Sequence, residues 1–424
     1  IFVGLHAVIE NSDNYCAFSF TTSAGQYRVD WGDGNVTLHN SDAIAQYQYN
    51  YATVSNSTLS SRGYKQVIIK VTAVSGNLLT CNFQQRFVTT PAQNQAYSSG
   101  FLDCILSMPN ASSGQSIIFG GTTIRHAYCE KVEIKTIGNA TSMSFMFFNC
   151  ISLQSVPLFN TINVTSMFSM FVSCRSLQSV PLFNTINVTN MIDVFSGCIS
   201  LQSVPLFNTI NVTNMIYMFF NCYSLQSVPL FNTINVTYMQ YMFYNCTSLQ
   251  SVPLFNTSKV TSMESMFNSC SSLQSVPLFN TVNVTSMAGM FFNCYSLQSV
   301  PLFNTINVTN MIYMFFNCYS LQSVPLFNTA NVTNMTYMFN SCYSLNFIPA
   351  FITTAVTTDF TGFAIDCNSL NRITMSFNRT VGIQNCQLSR DALVEIFTNL
   401  TNRTSTTSAT IDITGNWGAS ALTS

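Results

Sequence analysis

Residues 211–230 read Asn-Val-Thr-Asn-Met-Ile-Tyr-Met-Phe-Phe-Asn-Cys-Tyr-Ser-Leu-Gln-Ser-Val-Pro-Leu, and close copies of this stretch recur along the 424-residue chain. The decapeptide that overlaps its end, Ser-Leu-Gln-Ser-Val-Pro-Leu-Phe-Asn-Thr, is found unchanged eight times between residues 152 and 329, always at a period of 24 residues. A strict period of this length indicates a repeat architecture in which each unit stacks on its neighbours. Degenerate copies at Cys129 and Leu345 extend the predicted array from residue 129 to residue 375.

Each repeat combines two hydrophobic patterns. Leu153, Val156 and Leu158 have the spacing of a leucine-rich-repeat strand, which predicts that all three side chains enter the core. The other half carries an apolar stripe at i, i+3, i+4 and i+7, formed in one repeat by Met167, Met170, Phe171 and Cys174. This stripe predicts a short helix with Thr165 or Ser166 as its N-cap. We therefore expect a repeat solenoid of leucine-rich-repeat-like strand and short-helix units with a parallel sheet.

The same residues carry a family resemblance. The stretch 211–230 resembles the BspA-type leucine-rich repeat of bacterial surface proteins and of related phage and environmental sequences. The resemblance implies adhesion or recognition at a cell or virion surface, without catalysis. Residues 388–400 and 409–416 are similar to the tails of such proteins and read as a cap. In this cap, we expect Ser389 to begin a helix and a strand at 409–414 to cover the last open edge.

Residues 1–90 lack the repeat and alternate apolar with polar residues, which predicts strands. The segment 29–34 reads Val-Asp-Trp-Gly-Asp-Gly and is followed by Tyr-Gln-Tyr at 47–49. It resembles the WGDG signature of PKD-type sandwiches, small β domains that serve extracellular proteins as spacers or contact modules. Asp30 and Asp33 offer the carboxylate oxygens that Ca²⁺ prefers. The favoured alternative is a tight turn whose backbone the two aspartates bond.

The sequence thus predicts an all-β, sandwich-like domain followed by a solenoid. The segments are a PKD-like β-sandwich domain at 1–90, a joining segment and irregular N-terminal cap at 91–128, a leucine-rich-repeat solenoid at 129–375, and a C-terminal cap with helix and strand at 376–424. Within the joining segment we expect an irregular coil at 102–109.

Charge is scarce in this chain. Asp, Glu, Lys and Arg make up 7% of the residues and the net charge is −1, whereas charged residues are about a quarter of an ordinary domain. A nucleic-acid partner requires clustered Lys and Arg, so none is expected. Mean hydropathy is +0.27, yet no apolar run approaches the roughly 18 to 20 residues of a membrane span, and membrane insertion is not expected.

The repeats also lack the residues of a catalytic site. From residue 150 to residue 345 the charged side chains are Arg175, Asp193, Lys259 and Glu264. They are too far apart in repeat number to form a general acid-base pair, and no sequence motif of a nucleophile, phosphate or metal site is present. We therefore expect neither an enzyme nor a cofactor.

Nine of the fifteen cysteines recur once per repeat, at Cys150, Cys174, Cys198, Cys222, Cys246, Cys270, Cys294, Cys318 and Cys342. Neighbours in such a ladder lie close enough for a disulfide. However, an odd number cannot pair completely, and the position belongs to the inward stripe. We predict free thiols that pack as small hydrophobic side chains. Metal binding is disfavoured because neither a CxxC pair nor a histidine ladder accompanies them.

Asn-x-Thr sequons recur in the repeats at Asn163, Asn187, Asn211, Asn235, Asn283, Asn307 and Asn331, and further sequons outside them include Asn35, Asn56 and Asn110. In a secreted eukaryotic protein such sites can carry glycans. Alternatively, the turn itself requires Asn and Thr, with Asn side chains bonding along the stack. The structural interpretation is favoured, and glycosylation stays open, above all outside the repeats.

Outward positions differ in how much they vary among the repeats. The outward positions of the predicted strand hardly vary, as at Gln154, Ser155, Pro157 and their copies. The positions near the predicted helix do vary, and they include the row Tyr217, Tyr241, Tyr313 and Tyr337. Such tyrosines could stack on sugars or pack between subunits. Ordinary partial burial beside the helix is an equal alternative.

Together these patterns predict a non-enzymatic extracellular protein, on a cell or virion surface, that mediates adhesion or recognition through a glycan or protein ligand. The alternative is a structural subunit, in which further copies of the chain associate into an extracellular filament or virion appendage, glycosylated or not. Low charge favours self-association because little like-charge repulsion opposes it. Terminal caps favour adhesion because they block end-to-end stacking.

Overall fold

A computed structural model of the chain describes residues 1–12, 14–88, 94–95, 100–114, 116–120, 128–351, 358–377, 379–400 and 410–423. The chain divides into two compact units, Ile1–Val212 and Thr213–Ser424. The division falls inside the repeat array, so each unit contains several 24-residue repeats.

Strands are the most numerous regular elements of both units. The first unit contains β1 (Phe2–Val8), β2 (Tyr15–Asp30), β3 (Val36–Asn40), β4 (Ile44–Gln48), β5 (Lys65–Asn82), β6 (Phe87–Val88), β7 (Asn94–Gln95), β8 (Phe101–Ser107), β9 (Ile117–Ile118) and β10 (Lys131–Thr136), with a short 3-10 helix at Asn56–Thr58. The second contains β11 (Phe347–Ile348), β12 (Arg372–Ile373), β13 (Val381–Gly382), α1 (Arg390–Thr398) and β14 (Ile411–Asp412), with a 3-10 helix at Ser420–Thr423.

Eight strands of the first unit form one sheet in the order β10-β8-β1-β5-β2-β3, with β4 paired to β2 and β9 paired to β5. The long strands β2 and β5 are antiparallel, and register shifts between Thr21 and Tyr27 mark where β2 departs from regular pairing. Buried aromatic side chains form the core on this sheet, among them Phe2, Phe18, Trp31 and Phe83. The strands predicted for residues 1–90 are therefore present, whereas a two-sheet sandwich stays a prediction because these strands share one sheet.

Residues 101–107 differ from the prediction. The irregular coil expected at 102–109 is instead strand β8, which pairs with β1 on one side and with β10 on the other. The physical reason is that Phe101, Cys104 and Leu106 are all buried, so this segment contributes apolar side chains to the core of the sheet. Strand β10 continues the pairing into the repeats, since Lys131 forms a parallel bridge with Ser155.

Within each unit the repeats stack as successive turns of the chain. Ser142, Ser166 and Asn190, each one period apart, are joined by parallel β-bridges in the first unit, and the same position is bridged from Asn214 to Asn334 in the second. Inward side chains stack on their own copies. The rings of Phe171 and its copy in the next repeat are nearly parallel, with centroids 5.6 Å apart. Each repeat thus completes the core of its neighbour.

The predicted short helix is wrong. Residues 167–174 form two successive turns, in which the amides of Met170 and Cys174 donate to carbonyls three residues earlier. Ser169 and Ser173 have φ values of 53° and 59°, which a right-handed helix does not contain. A helix with its side chains is about 10 Å wide, whereas the stacked phenylalanine rings are 5.6 Å apart. The predicted apolar stripe is nevertheless buried, because the two turns direct the same residues inward.

The strand and parallel sheet predicted for the repeats are also wrong, because the described residues between β10 and β11 form isolated parallel bridges and no strand. The inward pattern predicted for that strand differs at one position. Leu153 and Val156 are buried, but Leu158 is 65% exposed, and Phe159, which is 6% exposed, is the inward residue. In the next repeat the amide of Phe183 donates to the carbonyl of Pro181 at 2.9 Å, which closes a three-residue turn around the intervening leucine. This turn interrupts the alternation, so that the leucine faces outward and the phenylalanine faces the core.

The second unit ends in short parallel pairs, β11 with β12 and β13 with β14. As predicted, Ser389 caps helix α1, because its side chain accepts a hydrogen bond from the amide of Ala392 at 3.2 Å. Arg372 of β12 binds the carboxylate of Glu395 on α1 through two hydrogen bonds of 2.9 and 2.7 Å. Of the strand predicted at 409–414, residue 409 lies outside the described residues and 411–412 form β14.

Candidate functional site

The WGDG turn between β2 and β3 is closed by its own hydrogen bonds. The amide of Trp31 donates to the carbonyl of Asn35 at 3.0 Å, and Asp30 Oδ1 accepts from the amide of Gly32 at 3.1 Å. Gly32 has a φ of 78°, and a Cβ there would lie 2.5 Å from the carbonyl oxygen of Ile68. Only glycine therefore fits this turn.

Asp33 is also engaged by the turn. Its Oδ1 accepts from the amide of Asn35 at 3.0 Å, and its Oδ2 accepts from the Tyr47 hydroxyl at 2.7 Å. Burial and the Asp33 carboxylate raise the pKa of Tyr47 to about 12. Both aspartates thus bond the turn, which is the alternative that the sequence favours over calcium. Among the described residues, no three His, Cys, Asp or Glu side chains converge in a way that could hold a metal ion.

The cysteines of the repeats lie at buried positions. All fifteen cysteines of the chain are described, and each is a buried free thiol. In successive repeats the thiol donates to the phenylalanine carbonyl of the preceding repeat, as Cys174 does to Phe147 at 3.0 Å and Cys342 does to Phe315 at 3.0 Å. Burial raises the pKa of the Cys294 thiol well above its ordinary value. Such a thiol remains protonated and is a poor nucleophile.

The sequon asparagines of the repeats form an outward row with the threonines that follow them. Asn307 Nδ2 donates to the carbonyl of Val282 in the preceding repeat at 2.7 Å, and Asn187 Nδ2 makes the corresponding bond to Ile162 at 2.8 Å. Most members are exposed, namely Asn163, Asn187, Asn211, Asn283, Asn307 and Asn331, while Asn235 is half-buried. The side-chain amides therefore take part in the stacking. Outside the repeats, Asn35, Asn56 and Asn110 are exposed as well.

In the first unit this Asn-Thr row faces a loop at residues 112–114, and the two line an open, shallow groove of about 570 Å³. Its lining residues are Ser112, Ser113, Asn139, Thr141, Asn163, Thr165 and Asn187. Sequence reasoning missed this groove. The Asn110 sequon ends at Ser112 in one wall, and Asn163 and Asn187 belong to the other, but no sequence pattern indicated that the two walls face each other.

The predicted tyrosine row is divided into two pairs. Tyr217 stacks on Tyr241 with ring centroids 4.9 Å apart, and Tyr313 stacks on Tyr337 with centroids 5.6 Å apart. At the repeats between the pairs the equivalent positions hold Ser265 and Gly289. All four tyrosines are half-buried. Since stacked rings cover one another's faces, these pairs present mainly edges and hydroxyls to a ligand.

Sequence reasoning also missed a row of exposed leucines. The leucine of each Pro-Leu-Phe segment is between 56% and 65% exposed, namely Leu158, Leu182 and Leu206 in the first unit and Leu230, Leu254, Leu278, Leu302 and Leu326 in the second. Contiguous apolar patches are uncommon on monomeric proteins and usually mark a contact surface. The available signal was that Pro-Leu-Phe is unchanged in all eight copies.

Of the four charged side chains between residues 150 and 345, Arg175 is exposed, and the other three are bonded to a neutral neighbour or partly buried. Lys259 Nζ donates to Asn235 Oδ1 at 2.7 Å, and Glu264 accepts from the Tyr241 hydroxyl at 2.7 Å. Burial raises the pKa of Asp193 to about 6. Within either unit, the structure therefore brings no acid-base pair together in the repeats that it describes.

Solved structures that this chain is similar to include leucine-rich-repeat proteins of bacteria. A leucine rich cell surface protein from Faecalibacterium prausnitzii is 16% identical with a TM-score of 0.35, over 80% of this chain and 94% of that chain. A leucine-rich repeat protein from Eubacterium ventriosum is 14% identical with a TM-score of 0.34, over 65% and 93% of the respective chains. A leucine rich repeat protein of T. pallidum is 19% identical with a TM-score of 0.22, over 62% of this chain and 88% of that chain.

At the level of sequence families, no curated protein matches the chain. In the described part of the chain, no helix has the length and apolar character needed to cross a membrane. The residues 141–253, 174–276 and 247–351 match the family model described as Mycoplasma protein of unknown function, DUF285. The repeats from residue 141 to residue 351 are thus similar to that family, and the match does not extend to the sheet of the first unit.

Proposed function

We propose that this protein is a non-enzymatic surface repeat protein, extracellular or on a virion, that mediates adhesion or recognition of a glycan or protein ligand. The observation that carries the proposal is the set of outward rows in which neutral side chains recur at the 24-residue period in several repeats. The rows consist of the Asn-Thr pairs, the tyrosine pairs and the leucines.

Such rows suit a ligand that is itself repetitive. Identical groups at a fixed spacing can engage successive units of a polymer or of a crowded surface, and the second contact is then intramolecular. Individually weak contacts can in this way reach a useful avidity without any deep pocket. The BspA-type resemblance of the repeats implies the same surface role.

The non-enzymatic part of the proposal is supported by the charged residues of the repeats. A general acid-base reaction needs two titratable groups positioned around one substrate atom. In the second unit, Lys259 and Glu264 are instead bonded to Asn235 and Tyr241. The outward surface is therefore suited to contact more than to proton transfer.

The proposal is tested by binding of the fluorescently labelled full chain to bacterial and mammalian cells, measured by flow cytometry. We expect saturable binding that unlabelled chain displaces. Pretreatment of the cells with protease or with glycosidases then separates a protein ligand from a glycan. If no cell type shows saturable binding, the adhesion proposal fails.

The exposed leucine rows favour a second candidate, a structural subunit that self-associates into a filament or appendage. An apolar row at a regular spacing can pack against the identical row of another copy, because the spacings match. The test variant replaces Leu254, Leu278 and Leu302 by Asn, and the matched control replaces the exposed Gln250, Gln274 and Gln298 of the same repeats by Ala. We expect light scattering and electron microscopy to show assemblies for the natural chain and the control, and monomers for the leucine variant. A natural chain that stays monomeric at high concentration excludes this candidate.

Glycosylation is a further open element of the proposal. Asn35, Asn56 and Asn110 are exposed and lie outside the repeats. Mass spectrometry of native peptides containing these sites, alongside those with Asn163 and its copies, decides whether either class carries a glycan.

A further inference from the structure

We propose that the groove between residues 112–114 and the Asn-Thr row of the first unit binds a neutral saccharide. This inference rests on the proposed recognition function and assigns it a place and a ligand class. The groove has a volume of about 570 Å³, and the described residues that line it are all serine, threonine or asparagine.

The chemistry of the lining selects the ligand class. Among the described residues that line the groove there is neither a carboxylate nor a basic side chain, so these residues offer no charge to an ionic ligand. The same residues include no aromatic or aliphatic side chain to attract an apolar ligand. Hydroxyl groups both donate and accept, and amide groups do the same through separate atoms. A saccharide, whose hydroxyls also do both, is the neutral ligand that such a lining complements.

The hydrogen bonds within the row determine which groups stay available to a ligand. Asn163 Nδ2 donates to Asn139 Oδ1 at 3.0 Å, and Asn187 Nδ2 donates to the carbonyl of Ile162 at 2.8 Å. Asn139 therefore keeps its amide donors, while Asn163 and Asn187 keep their amide oxygens as acceptors. A donor is thus followed by two acceptors along the stack, roughly 4.8 Å from one repeat to the next.

The opposite wall is held against the row by the backbone. The amide of Gly114 donates to Thr141 Oγ1 at 3.0 Å, which leaves the hydroxyl proton of Thr141 able to donate to a ligand. Ser113 is exposed at the rim and adds a second hydroxyl. A groove that is already formed costs less conformational entropy on binding than one that must be ordered.

The second unit contains an internal precedent for such a contact. At residue 259 a lysine takes the place of the repeat asparagine, and its Nζ donates to Asn235 Oδ1 at 2.7 Å. An amide oxygen of this row therefore accepts a hydrogen bond from a flexible, non-amide side chain of the following repeat. In the groove, a sugar hydroxyl would donate to Asn163 or Asn187 in the same way.

The test uses the full chain produced in a bacterial host without N-glycosylation, so that no glycan of its own fills the groove. Oligosaccharides of mannose, glucose, galactose and N-acetylglucosamine are the neutral probes, and a heparin oligosaccharide is the charged one. Binding is measured by saturation-transfer NMR and titration calorimetry. We expect at least one neutral probe to bind and heparin not to compete.

The decisive variant is Asn139→Asp, which keeps an oxygen to accept from Asn163 but removes the amide donors and adds a charge. We expect the affinity for the neutral probe to fall by about tenfold or more, the equivalent of one lost hydrogen bond. Asn56→Asp, the same change at an exposed position outside the repeats, is the matched control and should leave the affinity unchanged. Ser113→Trp, which obstructs the groove from an exposed position without altering the row, provides a second variant if Asn139→Asp does not fold.

Each outcome bears on one claim. If the natural chain, Asn139→Asp and Ser113→Trp bind the neutral probe with equal affinity, the groove is not the binding site. The proposal is also overturned if heparin binds more tightly than every neutral probe. If no neutral probe binds although the labelled chain still binds cells, the saccharide site is wrong and the surface function stands. Loss of all saturable cell binding counts against the proposed function itself.

Discussion

At the scale of single residues, the cysteine of each repeat satisfies two requirements together. Cys294 is fully buried, and its thiol donates to the carbonyl of Phe267 in the preceding repeat at 3.1 Å. A small apolar side chain with a weak donor therefore fits a position where a carbonyl has a second lone pair to satisfy. This explains the ladder without disulfides or metal.

The same burial predicts unreactive thiols. Because burial raises the pKa of the Cys294 thiol and of its counterparts Cys246 and Cys318, we expect a colorimetric thiol reagent to label the native protein only on the timescale of unfolding. After denaturation all fifteen thiols should react. A Gln298→Cys variant, at an exposed position, is the control and should react at once. Rapid labelling of the natural chain in its native state would contradict the buried ladder.

Asp193 predicts a pH effect on the stability of the first unit. Burial raises its pKa to about 6 from 3.8, although a hydrogen bond from Ser196 opposes the shift. The folded state therefore binds this proton more tightly than the unfolded chain, so the contribution of Asp193 to stability is complete below 3.8 and is lost as the pH rises through about 6. We expect Asp193→Asn to raise the melting temperature at pH 7 and to leave it nearly unchanged at pH 3.5.

Melting curves at the two pH values check this expectation. The backbone should tolerate the change, since Asp193 has a φ of 57° and asparagine accepts that region as readily as aspartate. Asp42→Asn, at an exposed position with a φ of 66° in the same unit, is the matched control. Equal melting temperatures of Asp193→Asn and the natural chain at pH 7 would show that the ionised Asp193 carboxylate does not destabilise the folded state.

At the scale of the element, the Pro-Leu-Phe turn decides which of two adjacent apolar residues is buried. In one repeat of the second unit, Leu278 is 58% exposed and Phe279 is 2% exposed. The amide of Phe279 donates to the carbonyl of Pro277 at 2.9 Å, so the direction of the side chains reverses within three residues. The leucine is thus free for contact with a partner, while the phenylalanine stacks within the core.

Substitutions at these two neighbours should therefore have opposite consequences. We expect Phe279→Ala to lower the free energy of unfolding by about 3 to 5 kcal/mol, because it leaves a cavity in the stack. Leu278→Ser should change it by no more than about 0.5 kcal/mol, because its side chain is already in water. Denaturant titration of both variants makes the comparison. If Leu278→Ser instead lowers the free energy of unfolding more than Phe279→Ala does, the result would support the inward leucine that the spacing predicts.

At the scale of the whole molecule, the repeats make stability a sum of similar increments within each unit. Each repeat contacts its neighbours through parallel bridges and stacked rings, such as Phe267 on Phe291 with centroids 5.8 Å apart. In an arrangement of this kind, stability is approximately a sum of repeat and nearest-neighbour terms. Removing one complete period therefore preserves the pairing of the repeats that remain.

We expect a chain without residues 273–296, one full period, to fold cooperatively with a smaller free energy of unfolding. A chain without residues 273–284, half a period, should not fold its second unit, because the remaining half-turn cannot place its inward residues on the neighbouring repeats. Circular dichroism and denaturant titration distinguish the two. Equal loss of structure in both deletions would show that the repeats are not interchangeable units.

The sequence by itself determined the 24-residue period, the buried stripe from Met167 to Cys174 and the cap at Ser389. The stripe and the cap are local, because each depends on residues that lie within a few positions of one another, and the period is evident from the copied decapeptide itself. It also indicated the strands of residues 1–90 and the repeat array predicted at 129–375, of which residues 141–351 match the DUF285 family model.

Only the tertiary structure decided between a helix and two turns, since both bury residues spaced i, i+3, i+4 and i+7. The choice depends on amides that donate to the neighbouring repeat, as Phe171 does to Val194 at 2.9 Å. The sequence pattern also did not predict that Leu158 faces outward, because this depends on a three-residue turn. It did not predict the groove at 112–114 either, because the groove joins segments that are distant in sequence. Local periodicity indicates which side chains are buried, whereas the backbone conformation depends on which carbonyl each backbone amide donates to.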